Sequence, residues 1–150
     1  MILSNIKIFK TQGRLLGLDW GMRRTGVAIS DMDGAFVFTR PGIEILKYTH
    51  DALAQRIVKI IGDENITGIV IGLPLRTDGG ESETTAMVRA FADVLATKTE
   101  LPIVFIDETL SSATAQEQMG RVRRDDIKRE LDSNSARVIL ENAISLIKRN

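Results

Sequence analysis

The spacing of apolar and polar positions marks out the elements of this chain. Residues 14–20, RLLGLDW, form a mostly apolar run that predicts a strand. A turn at Gly21-Met22-Arg23-Arg24 leads into a second strand, TGVAISD, and Asp33-Gly34 is a hairpin signal before AFVFT. Three antiparallel strands are therefore expected first, and Pro41-Gly42 breaks that pattern. From Thr49 to Ile61 the apolar positions Leu53, Ile57, Val58, Ile60 and Ile61 recur as a helical stripe. ITGIVIGLP then reads as a buried strand, because short continuous Ile/Val runs suit parallel strands covered on both faces.

A glycine-containing loop, LRTDGGES, precedes a helix from about Ser82 to Thr97, with Met87, Val88, Phe91, Val94 and Leu95 on one face. LPIVFIDE is a second buried strand ending in two carboxylates. SSATAQEQMG reads as a short helix, with serine at its start and Gly120 as its stop signal. The basic stretch RVRRDDIKRE precedes a last helix from about Ser133 to Lys148. The order β-β-β-α-β-α-β-α-α implies one α/β domain over residues 1–150, with residues 1–13 as an N-terminal extension capping the sheet. Its sheet is expected to be mixed, a three-strand antiparallel meander plus two parallel strands, with helices on both faces.

Composition narrows the chemistry. The chain has 150 residues, 43% of them hydrophobic and 27% charged, which is ordinary for a globular protein. Its 20 basic and 20 acidic side chains cancel, so a polyanion partner must be met by local charge sorting. The absence of cysteine excludes disulfides and thiolate zinc sites, and His50 alone cannot form a histidine cluster. Oxygen ligation is the metal chemistry that remains. No apolar run nears the roughly 20 residues that span a bilayer, and lysines interrupt MILSNIKIFKTQG too early for a secretory signal. A cytoplasmic protein without membrane contact is expected.

Three acids then stand out. Asp19 interrupts an apolar strand, where an uncompensated carboxylate is costly. Asp107-Glu108 closes the last strand, and ligands of open α/β sheets bind at the carboxyl ends of strands. If the strands are neighbours, Asp19 and Glu108 meet there, within reach of Asp132 in the first turn of the last helix. Three carboxylates raise one another's pKa unless a cation neutralises them, and Mg²⁺ or Mn²⁺ suits such oxygens. Taken alone, Asp132 reads as a helix N-terminal acid and Asp107-Glu108 as a solvated strand end. Trp20 reads as packing, and His50 as a polar residue at a helix start.

Gly17, Gly21 and Gly26 are candidates for close approach of a phosphate backbone. Arg121, Arg123, Arg124, Lys128 and Arg129 precede Asp132, and Arg23 and Arg24 follow Asp19. Beside converging acids these cations are suited to phosphates. Without them, the interleaved Asp125, Asp126 and Glu130 make the segment a self-paired, solvated one.

Four stretches, GLDWGMRRTGVAISD, IVIGLPLRTDGGES, IDETLSSATA and LDSNSARVIL, resemble the YqgF-type family in order and spacing, over Arg14 to Lys148. The resemblance implies an RNase H-like fold and a nuclease of the pre-16S rRNA or Holliday-junction-resolvase-like kind. It places a metal-binding acidic triad on Asp19, Glu108 and Asp132, with Mg²⁺ or Mn²⁺, and implies hydrolysis of phosphodiesters. It links the protein to 5′-end maturation of the small-subunit rRNA precursor, hence to ribosomal particles. The GLP loop is expected to offer backbone amides and Arg76 to the substrate. Thr109 stands where the family often has arginine, and polar SNSAR replaces an aliphatic or alanine-rich stretch. The expected protein is a monomer or weak homodimer acting on structured RNA. Alternatives are a resolvase of branched DNA and a non-catalytic RNA-binding assembly factor. A sugar-kinase-like ATPase is disfavoured, since 150 residues cannot build a two-domain nucleotide cleft.

Overall fold

The computed structural model describes residues 1–4, 6, 9, 13–108 and 124–148, the side chains of 124–133 excepted. The strands are β1 (Ile2–Leu3), β2 (Arg14–Asp19), β3 (Arg24–Ser30), β4 (Val37–Glu44), β5 (Ile66–Leu73) and β6 (Ile103–Asp107). The helices among these residues are α1 (His50–Glu64), α2 (Glu83–Lys98) and α3 (Arg124–Lys148). One mixed sheet runs in the order β1-β6-β5-β2-β3-β4. β1, β6, β5 and β2 are mutually parallel, and β3 and β4 complete an antiparallel meander with β2.

The pleat sends alternate residues to opposite faces. Leu16, Leu18, Ile69, Ile71 and Ile103 pack beneath α1 and α2, against Leu53, Ile57, Val88, Phe91 and Leu95. Leu15, Ala28, Val70 and Val104 face α3, against Ala136, Ile139, Leu140 and Ala143. Each fully buried Leu, Ile or Phe side chain contributes about 1.5–3 kcal/mol, so both layers are needed.

Local chemistry fixes the helix ends. Thr49 caps α1 by accepting from the Ala52 N–H at 3.0 Å, and Asn65 ends it in the left-handed region at φ 56°. Ser82 and Thr85 cap α2 reciprocally: Ser82 Oγ accepts from the Thr85 N–H, and Thr85 Oγ1 accepts from the Ser82 N–H.

The structure departs from the sequence reading in three places. The sheet has six strands rather than five, because Ile2 and Leu3 pair with Ile103 and Val104 instead of merely capping the sheet. Phe9, also in the N-terminal stretch, is buried on the α3 side. The fourth strand does not stop before Pro41-Gly42 but runs through it to Glu44. β4 is an edge strand, where proline sacrifices no ladder bond, and a register shift sets Pro41 and Gly42 opposite Gly26 as a bulge. Finally, α3 begins at Arg124, nine residues before the expected Ser133. Its first turns are charged but rich in helix-favouring Arg, Lys, Glu and Leu, which an apolar periodicity does not register. The expected SSATAQEQMG helix lies outside the described residues.

Candidate active site

The β2 strand ends at Asp19, opposite Gly26 of β3. Glu108 follows β6 directly, and its N–H donates to the Leu73 carbonyl at the end of β5. The two strands are not neighbours, since β5 separates β2 from β6. Asp19 and Glu108 nonetheless share a side-chain hydrogen bond. They reach each other across β5 at Gly72: a Cβ there would stand 2.7 Å from Glu108 Oε2 and would collide with Ile139 Cδ1.

Glu108 is only 9% exposed, and its Oε2 is buried with no hydrogen-bond partner. Burial drives its pKa up. The hydrogen bond from Asp19 pulls it down, and the neighbouring Asp107 charge adds to the rise. Glu108 therefore holds its proton more tightly than an ordinary carboxyl does, because its site is dry. A divalent cation would offset that penalty and give the orphaned oxygen a partner. Among the described residues no group of three or more His, Asp or Glu side chains is placed to hold a metal.

Asp132 is the third acid of the expected set. It is the ninth residue of α3 rather than a first-turn acid, so the helix-N-terminus reading of it fails. Its backbone lies one turn before Ala136, whose carbonyl packs on Gly17 of β2. The opposite end of α3 reaches the β3–β4 turn, where the Lys148 ammonium donates to the Gly34 carbonyl at 3.1 Å. Going back along α3 from Ala136 thus leads toward the Asp19 end of the sheet. The Asp132 side chain lies outside the described residues.

Two of the glycines are required by packing within the fold. A Cβ on Gly17 would sit 2.8 Å from Leu140 Cβ, so this glycine lets α3 lie close on β2. One on Gly21 would strike the Arg24 carbonyl across the β2–β3 turn. Gly26 is buried inside the ladder opposite Asp19.

Of the expected cations, Arg23 is exposed in the β2–β3 turn, close in sequence to Asp19. Arg24 pairs with Glu44 at 3.2 Å. Arg76 lies in the loop after β5, at the Glu108 end of the sheet, and pairs with Asp78 at 2.8 Å. The loop amides expected to meet substrate are used internally: Arg76 N–H bonds the Gly80 carbonyl, Gly79 N–H the Arg76 carbonyl, and Gly80 N–H the Asp78 carboxylate. Arg124, Lys128 and Arg129 belong to the first turns of α3, their side chains outside the described residues, as are Thr109, Arg121 and Arg123 altogether.

Sequence reasoning missed two features. Gly72 is one, and its signal is a lone glycine inside an Ile/Val strand, a mark of close approach. The other is a polar chain behind Asp19: Trp20 Nε1–H donates to the Tyr48 hydroxyl at 2.8 Å, and that hydroxyl lies 2.6 Å from His50 Nδ1. Trp20 is buried, as expected, edge-on to Tyr48. The chain ties the residue after Asp19 to the start of α1.

Comparison of folds places the protein in a class. It superposes on Thermus thermophilus RuvC, solved in complex with a Holliday junction substrate, with a TM-score of 0.59 over 92% of this chain and 97% of that one, at 13% identity. The Fowlpox virus resolvase, solved with Holliday junction DNA, gives 0.52 over 89% and 99%, also at 13% identity. The architecture is thus the RNase H-like fold of such resolvases. A sequence relative from Maridesulfovibrio salexigens, named "Putative pre-16S rRNA nuclease", is 42% identical over 85% of this chain and 95% of its own. One of the same name from Bartonella bacilliformis is 38% identical over 89% and 83%. The protein is a nuclease, a hydrolase of ester bonds. Residues 13–146 match the family described as "RuvX: Holliday junction resolvase", and the chain belongs to that family.

Proposed function

We propose that the protein is a metal-dependent nuclease that cuts phosphodiester bonds in structured RNA, and that its substrate is the 5′ region of the pre-16S rRNA during ribosome assembly in the cytoplasm. The observation that carries the site is the Asp19–Glu108 pair, joined across Gly72 with a buried oxygen left over. The relatives' name supports the substrate. Mg²⁺ or Mn²⁺ held by Asp19, Glu108 and Asp132 would supply charge neutralisation, an activated water and stabilisation of the leaving oxygen.

The chain's own residues do the rest. Asp19 and Glu108 accept a cation in their ionised form, which burial makes harder for Glu108 to reach. Burial then keeps competing water from the Glu108 side. Arg23, Arg24, Arg76, Arg121, Arg123, Arg124, Lys128 and Arg129 hold phosphates along the approach, where exposed ion pairs such as Arg76–Asp78 are weak enough to exchange. The protein acts as a monomer or weak homodimer and meets its RNA on ribosomal particles.

A second reading, resolution of branched DNA, draws on the family description. Both are tested by incubating a labelled pre-16S fragment and a four-way DNA junction with Mg²⁺, Mn²⁺ or chelator, beside Asp19→Asn. Metal-dependent RNA cleavage lost in the variant is expected. Cleavage of the junction alone favours the second reading, and cleavage retained by Asp19→Asn overturns the acid assignment.

A further inference from the structure

A cleft of about 490 Å³ opens at the end of β5, lined by Ile2, Leu3, Ser4, Leu73, Arg89 and Phe105. Leu73 links it to the acids, because its carbonyl accepts the Glu108 N–H and it pairs in register with Asp107. Leu3 pairs with Val104 one strand further out. The cleft therefore lies at the strand ends that carry Glu108, but on the α2 face, while Asp19 and Glu108 turn to the α3 face.

Its lining combines the apolar Ile2, Leu3, Leu73 and Phe105 with Ser4 and the Arg89 cation. Phe105 is half-buried, and the Arg89 guanidinium carbon sits 5.4 Å from its ring centroid. Arg89 also pairs with Glu81 at 2.7 Å, both side chains about half exposed. The pair is two-pointed, with a second bond of 3.3 Å to the other carboxylate oxygen, and it holds the guanidinium at the cleft while leaving its face on Phe105. A flat ring with polar edges fits such a wall: apolar side chains and an aromatic face below, a guanidinium to stack on it or bond its edge. Among the described residues the lining itself carries no acid; Glu81, on Arg89, and Asp107, in register with Leu73, are the carboxylates at its edge.

We propose that this cleft holds one unpaired nucleobase of the substrate strand, adjacent to the phosphate presented to Asp19 and Glu108. A strand crossing the rim turns its backbone to the acids and its neighbouring base across Leu73 into the cleft, stacked on Phe105 and clasped by Arg89. A paired base cannot enter, so the enzyme selects a nucleotide that is single-stranded beside the cut. The proposal rests on the nuclease reading, and it is tested by binding rather than by cleavage.

A short RNA with a single abasic site, moved one position at a time along the strand, is titrated into the full chain without divalent metal. One position is expected to weaken binding roughly ten-fold, the loss of one base–aromatic stack. In Arg89→Ala and in Phe105→Leu the intact RNA binds less tightly and that position no longer stands out. A flat scan, a position-specific loss unchanged in both variants, or no binding of the RNA at all overturns the subsite. Cleavage is measured separately with metal. A position-specific scan with no cleavage would overturn the nuclease reading and leave the subsite standing.

Discussion

Gly72 and Glu108 are coupled through space that only a glycine leaves open. An added Cβ at Gly72 would stand 2.7 Å from Glu108 Oε2 and 3.2 Å from Glu108 Cβ, and would run into the end of Ile139. The strand between the two acid-bearing strands is therefore the one that lets them meet. Gly72→Ala is expected to lower cleavage at least ten-fold, by displacing Glu108 from Asp19. It is also expected to cost about 1–3 kcal/mol in urea unfolding, the usual range for overpacking. A variant that cuts at the wild-type rate would show that the contact of the two acids is dispensable.

Removing one acid of the pair separates function from stability. Asp19→Asn and Glu108→Gln are each expected to abolish cleavage while leaving the metal-free melting temperature unchanged or higher. The sign follows from protonation. Glu108 has its pKa raised above its ordinary 4.5, so near and above that value the folded state binds more protons than the unfolded one. Its contribution to stability is full below 4.5 and is lost as the pH rises through the raised value. Glu108→Gln removes this loss, so its melting temperature should fall less than the wild type's as the pH is taken upward from 4.5. Parallel melting curves would refute the assigned direction.

Cation binding should show the mirror image. Glu108, whose pKa is raised, binds Mg²⁺ or Mn²⁺ as the carboxylate, so affinity is expected to rise with pH as it ionises. Thermal shifts on adding Mn²⁺ should grow with pH in the wild type, vanish on adding chelator, and be absent from Asp19→Asn and Glu108→Gln. Equal shifts in all three proteins would place the ion elsewhere.

The chain Trp20–Tyr48–His50 is the anchor behind Asp19. Tyr48→Phe strands the Trp20 N–H in a part-buried position and is expected to cost about 1–3 kcal/mol. Adding Trp20→Phe removes the stranded donor, so the double variant should cost less than the two single losses combined. Strict additivity in denaturant melts would mean that the hydrogen bond carries no coupling.

Much of this architecture is legible in the sequence because it is local. Thr49 and Ser82 announce α1 and α2 as caps, the Ile/Val run announces β5, and Asp33-Gly34 marks the β3–β4 turn. What escapes is decided by distant partners. Ile2 and Leu3 become a strand only because β6 offers an edge, and β4 continues past Pro41 only because β3 accommodates a bulge. The site divides the same way. That Asp19 and Glu108 end strands can be read from their flanks. That they meet across an intervening strand depends on strand order, which has no local signature; the glycine at 72 marks a close approach but does not name what approaches.

The interleaved strand order also sets when the two acids can meet. Asp19 is made early, but its partner is carried by a strand synthesised after β5 and α2, and α3, which seals Gly17 and Gly72, comes later still. Pairings of such long sequence separation form slowly and late. On the proposed site, a nascent chain that ends before β6 lacks Glu108 and is expected not to cut, and the two acids meet only with the closing of the whole sheet.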